Sequence, residues 1–185
     1  MKSVALRQLM YQVNCMVERR KVKFSKPVLT DSTPKWPASR FSVGGLRHYG
    51  EWIAVCAYIH KNLKLHGYEC KEFYTSEVGN KFVRALESRL CSATAGQLYQ
   101  LLIAAREFEA PIEHIVLQEL RPQISELRTE DLLRLPRVVT TRDPEFWGPI
   151  KEEVNTRTKI ENPATEVEAI VQQRLLQAFH SEIKN

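Results

Sequence analysis

Four residues within fifteen positions carry the donor atoms that soft metal ions prefer: Cys56, His60, His66 and Cys70, in the order Cys-x3-His-x5-His-x3-Cys. Thiolate and imidazole are the ligands of tetrahedral zinc. On a helix Cys56 and His60, at i and i+4, share one face, and a turn at Gly67 would bring His66 and Cys70 back towards them. Core packing is the competing reading. Cys56 falls on the face of Trp52 and Ile59, where a free cysteine acts as a small buried hydrophobe. The spacing matches no standard zinc finger, so the expectation is that neither a metal nor any other cofactor is held.

Other chemistry finds fewer residues to work with. No Gly-x-Ser-x-Gly surrounds a serine and no His-Glu-x-x-His places two ligands on a helix. Seven glycines leave no glycine-rich phosphate loop, and four cysteines with no Cys-x-x-Cys do not describe a disulfide scaffold. The carboxylate pairs Glu130-Asp131 and Glu152-Glu153 fall in highly charged segments expected to be exposed. His114, after Glu113, reads as the polar edge of an apolar helix. No enzymatic activity and no small-molecule substrate are expected.

Charge is the stronger signal. The chain carries 27 Lys and Arg against 22 Asp and Glu, a formal net charge of +5. Residues 1–40 hold nine of those cations against Glu18 and Asp31, whereas the remainder is close to neutral. Arg19, Arg20, Lys21, Lys23, Lys26, Lys35 and Arg40 are the residues that would neutralise phosphates, with Phe24, Trp36 or Phe41 available to stack on bases or fill protein pockets. Pro27, Pro34 and Pro37 interrupt helical hydrogen bonding, so 20–49 reads as a basic extended arm. Its partner is a polyanion, whether RNA, DNA or an anionic lipid surface, with RNA preferred. A solvated tail that aids solubility is the plain counter-reading.

Helical periodicity dominates elsewhere, and the fold class expected is all-α, of short stacked helical hairpins. Leu6, Leu9, Met10, Val13, Met16 and Val17 give an amphipathic helix within 1–19, free of acids through residue 17 and similar in composition to a mitochondrial presequence. Trp52, Val55, Cys56, Ile59 and Leu63 share a face that ends near Gly67. Val78, Phe82, Leu86 and Leu90 follow a start near Ser76. Thr94 and Gln97 form a capping box ahead of Leu98, Leu101, Leu102 and Ala105. Pro111 opens a helix carrying Ile112, Ile115, Val116, Leu120 and Ile124. Thr129 is expected to cap Leu132, Leu135 and Val138, completing a helical-hairpin body over 50–140. Residues 141–162 read as a connecting segment, with 143–149 a rigid turn anchored by Phe146 and Trp147. Asn162-Pro163 with Glu166 starts a last helix over 163–185. No apolar run reaches the ~18 residues of a membrane span.

Residues 92–105 and 126–139 align at an offset of 34, matching Leu98 with Leu132 and Leu101 with Leu135. Residues 92–139, with the Pro111 helix and the run Glu126-Leu127-Arg128-Thr129-Glu130-Asp131-Leu132, resemble the helical-hairpin repeats of FAST-kinase-like and heptatricopeptide organellar RNA proteins. The resemblance implies a role in mitochondrial RNA processing or as an accessory protein of protist mitochondrial ribosomes. It spans about a quarter of the chain, with room for two or three hairpins. A reader of RNA base by base needs more, which favours a scaffold. The expectation is a non-catalytic structural subunit of a mitochondrial ribosome, its arm on rRNA and its body on neighbouring subunits. The alternatives are an accessory subunit of a mitochondrial ATP synthase or respiratory complex, in the matrix or at the inner membrane, and a free RNA-processing factor.

Overall fold

The structure, a computed structural model, describes residues 2–17, 49–160 and 166–184. It is all-α, as the periodicity predicts: among the described residues there is no strand, and no helix is long and apolar enough to cross a membrane. The arm residues Arg19, Arg20, Lys21, Lys23, Lys26, Lys35 and Arg40 lie outside the described residues, as do Phe24, Trp36 and Phe41 and the start signal at Asn162-Pro163.

The chain divides into two compact units, Met1–Ser92 with Glu107–Ile112, and Ala93–Arg106 with Glu113–Asn185. In the first unit, α1 (Lys2–Val17) packs on α4 (Glu77–Leu90) and α2 (Tyr49–Leu65), while α3 (Cys70–Tyr74) packs on α2 and α4. The apolar stripe of α1 is used within the unit: Leu9, Val13 and Cys15 are buried. Gln12 on the same face accepts a hydrogen bond from the Tyr58 hydroxyl at 2.6 Å, which satisfies two buried polar groups with one contact. Val55, Cys56, Ile59, Phe73, Phe82 and Leu86 form the fully buried centre, with the Trp52 and Phe82 rings 5.1 Å apart.

Two turns set the geometry of this unit. At the end of α2, Gly67 adopts φ 70°, its N–H donates to Lys64 O, and Tyr68 N–H donates to Leu63 O. This is a Schellman stop, which only a residue tolerant of the left-handed region closes without strain. At the start of α4, Ser76 Oγ accepts from Gly79 N–H at 3.1 Å. The buried face of α4 then runs Gly79, Phe82, Leu86, Leu90, with Val78 only half-buried. The expected stripe therefore holds at Phe82, Leu86 and Leu90 and differs only in its first member, because at 79 the α4 backbone packs directly on the backbone of α3.

The second unit contains α5 (Ala95–Glu107, its last residue in the first unit), α6 (Glu113–Leu120), a 3₁₀ segment Arg121–Glu126, α7 (Thr129–Val138), α8 (Pro144–Ile160) and α9 (Glu166–Lys184). The Thr94–Gln97 capping box is present, with Thr94 N–H on Gln97 Oε1 at 2.9 Å and Gln97 N–H on Thr94 Oγ1 at 3.4 Å. Leu98, Leu101, Leu132 and Leu135, the four residues matched in the internal alignment, are all fully buried.

Two expectations in this unit are corrected. Residues 143–149 are not a turn but the entrance to α8. Asp143 caps it, with Oδ1 accepting from Glu145 N–H, and Pro144 takes the first position, where no N–H is needed. Pro149 leaves the Glu145 carbonyl without its helical donor, and Arg121 Nη2 supplies one at 3.1 Å, so the helix continues through the proline. Phe146, Ile150 and Val154 then form its buried stripe, and Trp147 meets Phe179 of α9 at 6.4 Å. Nor does Thr129 cap α7. It is the first helical residue, and the cap position is Arg128.

Candidate functional site

Of the four soft ligands in the sequence, the structure brings two together. His60 lies near the end of α2 and Cys70 opens α3, joined by the Gly67 turn. The third member is Glu109, from the Glu107–Ile112 segment of the same unit. One donor atom from each of His60, Cys70 and Glu109 lies within 4.8 Å of the other two. His60 Nε2 is 3.6 Å from Glu109 Oε1, and Lys64 Nζ is 2.7 Å from the same oxygen. The Cys70 thiol donates to Phe108 O at 3.8 Å, and the Phe108 ring stands 5.9 Å from the His60 ring.

Cys70, Glu109 and Lys64 border an open cavity of about 680 Å³, whose lining also includes Glu69, Lys71 and Tyr74. Cys70 is only 3% exposed, and its thiol is pushed up to about 11, first by burial and then by the negative Glu109. The Glu109 carboxyl is held below its ordinary range by its hydrogen bond to Lys64, which in turn raises the lysine. A lysine ammonium, a neutral thiol and an imidazole are thus gathered around one carboxylate.

Cys56 and His66 stand apart from this group. Cys56 is fully buried, and removal from water pushes its thiol up to about 12. The Tyr74 hydroxyl lies beside it but makes no hydrogen bond of normal geometry, and His66 Nε2 is likewise buried without a partner. The packing reading therefore holds for Cys56. Glu109 escapes notice in the sequence because it lies 39 positions beyond Cys70. A faint local signal exists, since a chain leaving α5 and turning ahead of Pro111 needs a left-handed residue, and Glu109 has φ 52°.

The carboxylate pairs have structural uses. Asp131, expected exposed, is buried at 5% and forms a two-pronged pair with Arg128, Nε to Oδ2 at 2.8 Å and Nη2 to Oδ1 at 3.2 Å. Glu153 accepts from Arg157 Nε at 2.7 Å, while the two terminal nitrogens of Arg157 donate to the carbonyls of Leu127 and Ser125. His114 is exposed on α6.

Burial orders the thiols by reactivity. Cys91 is exposed, whereas Cys15, Cys56 and Cys70 are buried. Alkylation of the native chain near neutral pH should label Cys91 rapidly and the other three only under denaturant, as peptide mapping by mass spectrometry would register. Fast labelling of Cys56 in the native chain would contradict the packing of α2. No protein-family model, known protein or solved structure matches this chain.

Proposed function

We propose that this chain is a non-catalytic structural subunit of a ribonucleoprotein particle, the mitochondrial ribosome. In this reading its basic N-terminal stretch lies along rRNA and its helical units lie against neighbouring subunits. The observation that carries the reading is the placement of charge: nine cations and two acids in residues 1–40, in a chain whose net charge is only +5. A stretch of that sign binds phosphates by releasing their counter-ions, which requires no reactive group. The resemblance of residues 92–139 to organellar RNA-protein hairpins points to the same class of partner. The mitochondrial placement rests on the acid-free first 17 residues. Leu9, Val13 and Cys15 are part of the first unit's core, so in this reading α1 is a retained element of the fold.

Sedimentation of an organelle lysate with and without ribonuclease, following this chain by mass spectrometry, tests the assembly. Co-migration with ribosomal particles that is lost on ribonuclease treatment is the expected result. A large complex indifferent to ribonuclease would replace it with a subunit of an ATP synthase or respiratory complex, the basic stretch then facing protein or lipid. Free, light sedimentation would indicate an RNA-processing factor instead. Reversal of Arg19, Arg20, Lys21 and Lys23 to Glu tests the contact itself. It should lower the salt slope of RNA binding by about 3 to 4, one unit for each phosphate no longer neutralised. An unchanged slope with unchanged incorporation would remove the polyanion proposal.

A further inference from the structure

The cluster of His60, Cys70 and Glu109 has no role in the RNA reading and does not depend on it. We propose that these three side chains form a binding site for a divalent metal ion of the zinc class, with a water in the fourth position towards the cavity.

Convergence is the first support. The three residues come from α2, α3 and the Glu107–Ile112 segment, so no helical periodicity places them together, yet their donor atoms lie within 4.8 Å of one another. Ligand atoms around a tetrahedral zinc with bonds of 2.0–2.3 Å stand about 3.5 Å apart, and a shift of roughly 1 Å closes the set. Glu109, 51% exposed, has the freedom to make that movement, while Phe108 packs against the imidazole and holds its orientation. The chemistry of the donors is the second support. Imidazole, thiolate and carboxylate are a zinc set, whereas calcium and magnesium select oxygen alone. The third is the electrostatics: Glu109 draws a cation already, and that cation is Lys64.

Binding balances as an exchange. The Cys70 thiol gives up its proton to water and leaves the Phe108 carbonyl, the Lys64 ammonium releases Glu109, and the metal–sulfur, metal–nitrogen and metal–oxygen bonds that form replace bonds from the hydrated ion to its waters, which are released. The metal then ties α2, α3 and the Glu107–Ile112 segment of one unit together, so the bound form should melt at a higher temperature.

The test uses the full chain carrying Cys91→Ser, which removes the exposed thiol as a competing ligand. Titration with cobalt(II) should saturate at one equivalent, with a thiolate-to-cobalt charge-transfer band and the visible bands of tetrahedral cobalt, both abolished by zinc. Cys70→Ser should lose the charge-transfer band. Glu109→Gln alters an exposed side chain and is not expected to perturb folding, which circular dichroism checks. It should weaken zinc binding by about tenfold or more, and Lys64→Ala, which removes the resident cation, should strengthen it by a similar factor. Absence of saturable binding by the Cys91→Ser chain would overturn the proposal. So would a charge-transfer band that survives Cys70→Ser, or an affinity that neither Glu109→Gln nor Lys64→Ala moves.

Discussion

Gly79→Ala should destabilise the first unit by about 3 kcal/mol, a result opposite in sign to what helix propensity suggests. Position 79 is in the first turn of α4, where alanine ordinarily gains up to ~1 kcal/mol over glycine by reducing the entropy of the unfolded chain. Here a Cβ would lie 2.6 Å from Tyr74 Cα and closer still to Phe73 O. Both obstacles are backbone atoms of α3, so no rotamer change relieves the overlap. Separating α3 from α4 would in turn disturb Phe73, Tyr74 and Phe82, which pack together in the core. Gly96→Ala is the control. At the second residue of α5 the added Cβ meets nothing within 4 Å. That variant should be unchanged or more stable by up to ~1 kcal/mol. Chemical denaturation followed by helical circular dichroism measures both. Equal stability of the two variants would show that α3 does not press on Gly79 as the structure has it.

Stability should also fall steeply in alkali. Burial raises the Cys56 thiol from 9.0 to about 12 and raises Tyr74 and Tyr58 above the ordinary phenol value, with Cys70 raised to about 11. Each group is held protonated in the fold and released in the unfolded chain. The folded state therefore binds more protons above about pH 9, and a rise in pH favours unfolding. The contribution is complete below the unfolded-state values and is lost as pH climbs through the folded ones. For Cys56 alone the limiting loss is about 4 kcal/mol, taking 1.36 kcal/mol for each pH unit of displacement. Denaturant midpoints measured under reducing conditions should be nearly level at about pH 8 and decline from about pH 9 to about pH 11. In Cys56→Ala the curve should start lower, because of the cavity, and decline less steeply. Parallel curves for the two proteins would mean that the Cys56 thiol ionises as freely in the fold as out of it.

The helices and most of their ends were legible from residue order because their causes are local. Ser76 and the Thr94–Gln97 pair cap where their side chains reach backbone N–H groups three residues on, and Gly67 stops α2 by its own backbone freedom. The stripes Trp52-Val55-Cys56-Ile59-Leu63 and Phe82-Leu86-Leu90 declare their buried faces by period alone. Failures cluster where the reach of a long arginine side chain intervenes. Pro149 reads as a helix breaker until Arg121, 28 positions earlier, is seen to satisfy the carbonyl that it strands. Asp131 reads as a solvated acid until Arg128 folds over it. The first interaction has no signature in sequence spacing, and the second, although Arg128 and Asp131 stand at i and i+3, depends on where a flexible side chain comes to rest.

The same division runs through the cluster of donors. Sequence alone determined an all-helical chain, its four cysteines and the concentration of positive charge in residues 1–40, since periodicity and composition are properties of the chain itself. It also set out Cys56, His60, His66 and Cys70 as one group by nearness. Tertiary structure decided otherwise. It turned Cys56 into the core beside Tyr74 and brought Glu109 to His60 and Cys70 across 39 positions. The physical reason is that α2 can bury only one face. The hydrophobic gain from burying Cys56 with Trp52 and Ile59 fixes the rotation of the helix, and that rotation leaves His60 at the rim where Glu109 stands.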